Sequence, residues 1–91
     1  MRTTIKQLEY QMLVINEMTN SPITSYTRVD GKTNANIGNY HLYQAYGGVC
    51  VHRMTNVGGG VTTPIFNGCI PKKEAYYLIS AFIKGLETAK Q

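Results

Sequence analysis

The fold of this chain is decided by the stretch between residues 40 and 55, which reads YHLYQAYGGVCVHRMT. Two segments rich in aromatic and β-branched residues, Tyr40–Tyr46 and Val49–Thr55, lie on either side of Gly47-Gly48. Because paired glycines tolerate the backbone angles of a tight turn, the pattern predicts a β-hairpin with Gly47-Gly48 as its two-residue turn. This hairpin is the centre of the predicted sheet.

The predicted turn fixes which side chains share a face of the hairpin. One face carries Tyr40, Leu42, Gln44 and Tyr46 with Val49, Val51, Arg53 and Thr55. The opposite face carries His41, Tyr43 and Ala45 with Cys50, His52 and Met54. A slip of one residue would exchange the faces of one strand, so the assignment depends on the turn.

Amphipathic helices are predicted on both sides of this hairpin in the sequence. Apolar residues recur at helical spacing from Thr4 to Met18, and Thr4 followed by Gln7 fits a capping box. A second amphipathic segment begins near Pro71, a favoured first helical position, and runs to about Thr88. Since each helix must bury one face, the economical arrangement places both on the same side of the sheet. We therefore predict an α+β fold in which an N-terminal helix, a small antiparallel sheet of three to four strands and a C-terminal helix leave the reverse face of the sheet open.

The remaining segments read as short strands and loops. A strand signal at Ser25–Val29 is followed by Asp30-Gly31, a hairpin turn signal. The polar stretch Lys32–Asn36 is either a weak edge strand or a loop. Between residues 57 and 70 the glycines predict a loop with one short strand near Val61–Phe66, and Pro64 requires such a strand to lie at an edge.

Length, charge and cysteine content bound the class of protein. We expect a chain of 91 residues to form one domain with a thin core, and self-association would stabilise such a domain. The net charge is +4, and the basic residues are scattered along the sequence apart from the adjacent Lys72-Lys73. This distribution favours a mildly basic surface over a nucleic-acid interface. With no apolar run of membrane-spanning length and no leader, we expect no membrane contact and a cytoplasmic location. In that compartment Cys50 and Cys69 are expected as free thiols, with a disulfide as the minor alternative.

Catalytic and metal-binding patterns are weak. Cys50 and His52 share the predicted open face, but they lie roughly 7 Å apart along one strand and lack a third orienting group. The chain has no CxxC or HxxxH pair, so a structural zinc site is not indicated. We therefore expect neither an enzyme nor a bound cofactor.

A phosphate or nucleotide site is indicated more strongly. Gly58-Gly59-Gly60 precedes Lys72 and Lys73, which open the last helix. Glycine-rich backbone can wrap an anion, and a helix N-terminus attracts one. Lysines at that end are unfavourable unless an anion is nearby. The chain lacks both the P-loop and the GxGxxG patterns, so the alternative is a flexible loop feeding a helix.

Tyrosines indicate a contact surface. The chain has seven tyrosines and no tryptophan, and Tyr43 and Tyr46 lie on the central hairpin. Tyrosine is enriched at interfaces because its large apolar ring ends in a polar hydroxyl. Tyr46 could instead lie at the edge of the core beneath the helices. Together with His52 and Arg53, these tyrosines are the candidate partner-binding residues, beside Gly59, Gly60, Lys72 and Lys73 as candidate ligand-binding residues.

Several short segments also carry a resemblance to a group of known sequences. They are Asn36-Ile37-Gly38-Asn39-Tyr40-His41, Ala45-Tyr46-Gly47-Gly48, His52-Arg53-Met54, Gly58-Gly59-Gly60 and Lys72-Lys73-Glu74. Between residues 36 and 86 the chain resembles small open reading frames of tailed bacteriophages and prophages. The resemblance implies an accessory protein that blocks host machinery, as many such proteins inhibit CRISPR or other immune systems and some sequester nucleotide signals. It supplies no catalytic residue.

The resemblance, together with the absence of catalytic motifs, implies a non-enzymatic, phage-type accessory protein that inhibits host defence by binding. The expected partner is a host defence protein, blocked sterically, or a nucleotide-derived signal that is captured. The thin core and the open face also predict a homo-oligomer. A nucleic-acid-binding module is the alternative, and its affinity would fall steeply with salt.

Overall fold

The structure is a computed structural model that describes residues 2–89 of the chain. Its elements in chain order are α1 (Ile5–Met18), β1 (Tyr26–Val29), β2 (Lys32–Ala35), β3 (Tyr40–Ala45), β4 (Gly48–Met54), β5 (Val61–Thr62) and α2 (Lys72–Ala89). The predicted α+β class and order of elements are confirmed. No helix within the described residues has both the length and the apolar content that crossing a membrane requires.

The strands form two small antiparallel sheets. β1 and β2 make one hairpin, joined by the predicted turn at Asp30-Gly31, where both residues have positive φ (52° and 75°). The other sheet has the order β3-β4-β5, so β4 is central and β3 is an edge strand. β5 lies at the other edge, as predicted, and ends before Pro64.

Both helices cover one face of the three-stranded sheet. α1 begins at the predicted capping box, in which the Thr4 hydroxyl accepts a hydrogen bond from the Gln7 amide and the Gln7 side chain accepts one from the Thr4 amide. α1 packs on β3 and α2 on β4, and the helices contact each other. The shared core consists of Leu8, Met12, Ile15, Tyr40, Val49, Val51, Ala75 and Ile79. The predicted placement of the helices on the same side is therefore confirmed.

The turn of the central hairpin lies one residue earlier than predicted. Tyr46 and Gly47 form it, with φ of 54° and 74°, and Ala45 pairs with Gly48. The predicted pairing of Tyr46 with Val49 is therefore wrong, since Val49 pairs with Gln44. Because every pair shifts by two residues, the two sets of side chains that share a face are unchanged.

Gly48 is a glycine for a reason other than the turn. A Cβ atom at this position would lie 2.6 Å from the carbonyl oxygen of Ile70, well inside contact distance. Ile70 approaches so closely because it exchanges two backbone hydrogen bonds with Val49, of 2.9 and 3.0 Å. The second glycine of the pair thus allows a neighbouring segment to dock on β4.

Asn16 of α1 closes one end of the β3 edge. Its side-chain amide donates to the carbonyl oxygen of Tyr40 at 3.0 Å, and its side-chain oxygen accepts from the Tyr40 amide at 2.8 Å. Asn16 is 2% exposed, so these bonds lie inside the protein. One carboxamide therefore replaces the partner strand that Tyr40 lacks.

Cys50 and Cys69 form a disulfide, so the expected free thiols are wrong. The bond lies one position along from the Val49–Ile70 pair, with 4.4 Å between the two Cα atoms. That spacing is typical of an antiparallel pair without hydrogen bonds, where side chains are closest. The expectation follows from the cytoplasmic location, whereas the pairing of Val49 in β4 with Ile70 places the cysteines side by side.

Candidate functional site

The open face is the side of the β3–β4 hairpin turned away from the helices. It carries His41, Tyr43, Ala45, Cys50, His52 and Met54. Cys50 and Met54 are buried, the two histidines are half-buried, and Tyr43 is 53% exposed. The accessible part of the open face is therefore an aromatic cluster of Tyr43, His52 and His41.

The cluster is an ordered stack. The ring of Tyr43 lies on that of His52, with centroids 5.2 Å apart and planes inclined by 16°. His41 meets His52 edge-on, at 5.6 Å and 87°. The register explains the contacts, because His41 is directly opposite His52 and Tyr43 is its diagonal neighbour.

The side chain of buried Asn39 orients the ring of His41. Asn39 is 1% exposed, and its side-chain amide donates to the carbonyl oxygen of Pro22 at 2.8 Å. Its side-chain oxygen accepts from the hydroxyl of Ser25 at 2.9 Å and lies 3.2 Å from Nδ1 of His41. Since an amide oxygen can only accept, Nδ1 of His41 is the donor, and Nε2 is left as the acceptor of the neutral ring.

Both histidines favour the neutral form. Burial lowers the pKa of His41, and the positive charge that His52 can carry lowers that pKa further. Burial also lowers the pKa of His52. At neutral pH the two histidines therefore add little positive charge to the open face.

Tyr46 lies at the tip of the hairpin. It lies outside β3, so its predicted place at the end of that strand is wrong. Its side chain is fully exposed, which also excludes the alternative position at the edge of the core. Its φ of 54° is in the left-handed region, which glycine and asparagine adopt at lower cost than an aromatic residue. The chain thus presents a tyrosine to solvent at a position where local stability favours another residue.

Arg53 does not join the open face. It is exposed on the opposite side of β4, with its guanidinium carbon 4.9 Å from the ring centroid of Tyr40. Its Nε donates to the carbonyl oxygen of Gly38 at 3.3 Å. The structure therefore separates Arg53 from Tyr43 and His52, with which the sequence grouped it.

The glycine loop encloses a side chain of its own chain. The side-chain oxygen of Asn56 accepts from the amides of Gly58 and Gly60, both at 3.0 Å. Gly60 also accepts from the amide of Thr55 through its carbonyl oxygen, at 2.8 Å. An anion in this loop would have to displace Asn56, a residue that the sequence analysis missed. The signal was the spacing Asn-x-Gly, which is typical of an Asx turn.

Lys72 and Lys73 are exposed at the start of α2, far from this loop. Lys72 lines a hollow of about 330 Å³ beside the hairpin turn, together with Gln44, Ala45, Gly47, Gly48 and Val49. Gly60 bonds to Thr55, just past the other end of β4. The length of β4 places roughly 20 Å between the two ends. The structure therefore does not bring the glycine loop and the lysines into one phosphate site.

Metal ligation has no basis in the arrangement of side chains. Over residues 2–89, histidine, cysteine, aspartate and glutamate do not gather in groups of three or more that could hold an ion. The cysteine nearest to the histidines, Cys50, is in the disulfide and cannot supply a thiolate.

Comparison with protein-family models, with curated proteins and with solved structures finds no match for this chain. Its function therefore has to be inferred from the geometry of its own residues.

Proposed function

We propose that this chain is a non-enzymatic, phage-type accessory protein that inhibits a host defence system by binding one of its proteins. The open face makes the contact, through Tyr43 and His52, with Tyr46 at the hairpin tip. The observation that supports this is the exposure of two tyrosines three positions apart in the sequence, 53% for Tyr43 and 100% for Tyr46. The resemblance to phage open reading frames supplies the host-defence context.

The physical form of this surface suits a protein partner. The stacked rings of Tyr43 and His52 lose little conformational freedom on binding, because the stack and the strand already restrict them. Aromatic side chains that are held in this way often contribute most of the binding energy of an interface. The stack lies on the outer face of a β-hairpin, which favours an extended contact over the enclosure of a small molecule.

A host cytoplasm is the compartment of this proposal, because intracellular defence proteins are found there. Disulfides persist poorly in that compartment unless they are shielded. Cys50 is 5% exposed and Cys69 is half-buried, so the shielding comes mainly from the side of Cys50. Alkylation of free thiols in intact cells, followed by mass measurement, tests this point. Two alkylated cysteines would show that the bond does not exist where the chain acts.

The experiment is a defence assay with a matched pair of variants. Cells with an active defence system are infected while they express the wild type, the double variant Tyr43→Ala/Tyr46→Ala, or Tyr77→Ala. Tyr77 is a control of the same residue type, 62% exposed on α2. We expect that the double variant no longer protects the infecting phage from the defence system. It should also bind its target at least about thirtyfold more weakly, as for a hot spot. Equal loss in Tyr77→Ala, or none in the double variant, would refute this use of the open face.

Capture of a nucleotide signal is a second candidate, favoured by the hollow beside the hairpin turn. Lys72 offers a cation there to a phosphate group, next to the backbone of Gly47 and Gly48. A bound ligand raises the melting temperature by mass action. Thermal-shift screening with nucleotides and cyclic nucleotides should then give a rise in melting temperature for the wild type. Lys72→Ala should abolish this rise, whereas Lys73→Ala should retain it, because Lys73 does not line the hollow. If instead the chain shifts DNA or RNA in a gel at ~50 mM salt, the nucleic-acid alternative replaces both.

A further inference from the structure

The outer edge of β3 is open over its turn-proximal half. In the register of the hairpin, His41, Tyr43 and Ala45 direct their backbone groups toward β4. The bonds between Asn16 and Tyr40 confirm this alternation, because they lie on the outer side. Leu42 and Gln44 must therefore direct their N–H and C=O groups outward, as Tyr40 does.

These outward groups have no partner in the part of the chain that the structure describes. Across residues 2–89, no backbone or side-chain hydrogen bond reaches the outer side of Leu42 or Gln44. Asn16 serves only Tyr40, at the far end of the strand. A row of unpaired strand groups is a template for another strand.

β3 also lacks the devices that protect edge strands. Its sequence from Tyr40 to Ala45 has no lysine, arginine, acidic residue or proline. By contrast, β1 carries Arg28, β2 begins with Lys32, and β5 is two residues long. Charges and short lengths of this kind normally block pairing between edges. β3 is left unprotected where its groups are free.

There is room for a strand beside this edge. A groove of about 330 Å³ runs between α1 and β3, and its lining includes Glu9, Leu13, Leu42 and Gln44. The lining also includes Asn16 and Tyr40, so the groove follows the edge from the end that Asn16 closes to the residues whose groups are free, and a neighbouring strand would meet Leu42 and Gln44 beside α1.

We propose that two copies of this chain pair through β3, antiparallel, about a two-fold axis at Tyr43. In this register Leu42 lies opposite Gln44 of the second copy, and each such pair exchanges two hydrogen bonds. All the outward groups of both residues are then satisfied. The occupant is a second copy because a two-fold axis places each side chain near its own counterpart, which an uncharged strand tolerates and a charged one does not.

The pairing has a consequence for the surface of the molecule. The two-fold axis is perpendicular to the sheet, so both open faces lie on the same side of one continuous sheet. Tyr43 of each copy lies directly opposite the other, where side chains are closest. The inference does not depend on the proposed function, because self-pairing can occur whatever the open face binds.

Amide hydrogen exchange on the wild type tests the pairing directly. Light scattering should give twice the monomer mass at ~1 mM and a falling mass on dilution. Exchange at Leu42 and Gln44 should slow in parallel with the dimer fraction, whereas exchange at Thr33, an outward residue of the β2 edge, should not. A monomer at every concentration, or a dimer in which Leu42 and Gln44 exchange freely, would overturn the proposal. Protection only on addition of a different protein would also overturn it.

Two sets of variants locate the axis. Gln44→Pro removes an outward N–H and leaves the bonds to β4 intact, so we expect dimerisation at least about tenfold weaker, whereas Thr33→Pro should leave it unchanged.

Tyr43→Lys and Tyr43→Glu avoid proline altogether, and each alone places like charges on the axis. Both should be monomeric alone and should form a mixed dimer when combined. Failure of the mixture to dimerise would show that the axis is not at Tyr43. Dimerisation is measured apart from target binding, so these results separate the pairing from the proposed function.

Discussion

The two faces of the β3–β4 hairpin have different roles, although successive residues of each strand alternate between them. Tyr40, Val49 and Val51 face the helices and are at most 5% exposed. Tyr43, on the other face of the same strand, is 53% exposed and stacks on His52. Because a strand sends successive side chains to opposite sides, one face packs against the helices and the exposed part of the other is available for recognition.

The largest expected effect compares two tyrosines on the same strand. Tyr40 packs against Phe82, at 6.2 Å between ring centroids, and under Arg53. Tyr40→Ala should lower the free energy of unfolding by about 4 kcal/mol, because it leaves a cavity in the core. Tyr43→Ala should lower it by less than about 1 kcal/mol, because its site is exposed. Urea unfolding of both variants measures the difference, and equal losses would mean that the open face is covered.

The disulfide is the place where the open face carries stability. Its cysteines are separated by 19 positions in the sequence. Replacing both by serine should cost about 3 kcal/mol, chiefly through the added freedom of the unfolded chain. Comparison of urea midpoints with and without reductant checks this in the wild type, and the double variant should not respond to reductant. A wild type whose midpoint ignores reductant would show that the bond contributes nothing.

The helix-facing side has a polar contact whose loss should cost less. Asn16→Ala removes both bonds to Tyr40 and leaves a buried N–H and C=O unpaired, which should cost about 2 kcal/mol. The neighbouring exposed residue gives the control, since Glu17→Ala should change the free energy of unfolding by less than about 0.5 kcal/mol. Thermal melts of the two variants separate a structural role of Asn16 from a general effect of altering α1.

Tyr46 should show the opposite sign. Tyr46→Asn creates Asn-Gly, the preferred pair for this turn, so we expect the melting temperature to rise by a few degrees. The same variant should bind the host target more weakly, because it removes the exposed ring. A fall in the melting temperature would show that Tyr46 contributes contacts that its exposure hides.

The smallest effect is the response of the open face to pH. The pKa of His41 and that of His52 are both lowered in the folded protein, so the unfolded chain binds protons more readily. Their contribution to stability is complete above the unfolded value of about 6.5 and is lost as the pH falls through the folded values. Melting temperatures between pH 7.5 and pH 5 should fall less steeply in His41→Gln/His52→Gln than in the wild type. An identical slope would mean that the two rings are not desolvated.

Much of the fold was predictable because local signals decide it. The capping box at Thr4, the turn at Asp30-Gly31 and the apolar stripes of both helices are properties of neighbouring residues. The hairpin faces were also predictable, since a shift of two residues preserves them. The position of the turn was not, because Gly48 serves contact with Ile70, a residue distant in sequence.

The candidate site was predicted less well, again because it depends on contacts between residues that are distant in the sequence. Tyr43 and His52 share a face by strand periodicity alone, and the structure places them in contact. Whether Gly60 and Lys72 meet depends on the length and direction of β4, which no local pattern contains. The disulfide likewise depends on register, and a general expectation about the compartment could not supply it.

The contact between Gly48 and Ile70 makes oxidation of the cysteines conditional on the shape of the backbone. Any side chain at position 48 would push the segment that carries Cys69 away from β4, and with it the second sulfur atom. A methyl group on Gly48 would thus disturb the close approach in which the two cysteines meet. The formation of a covalent bond between side chains therefore depends on the absence of a side chain at a neighbouring residue.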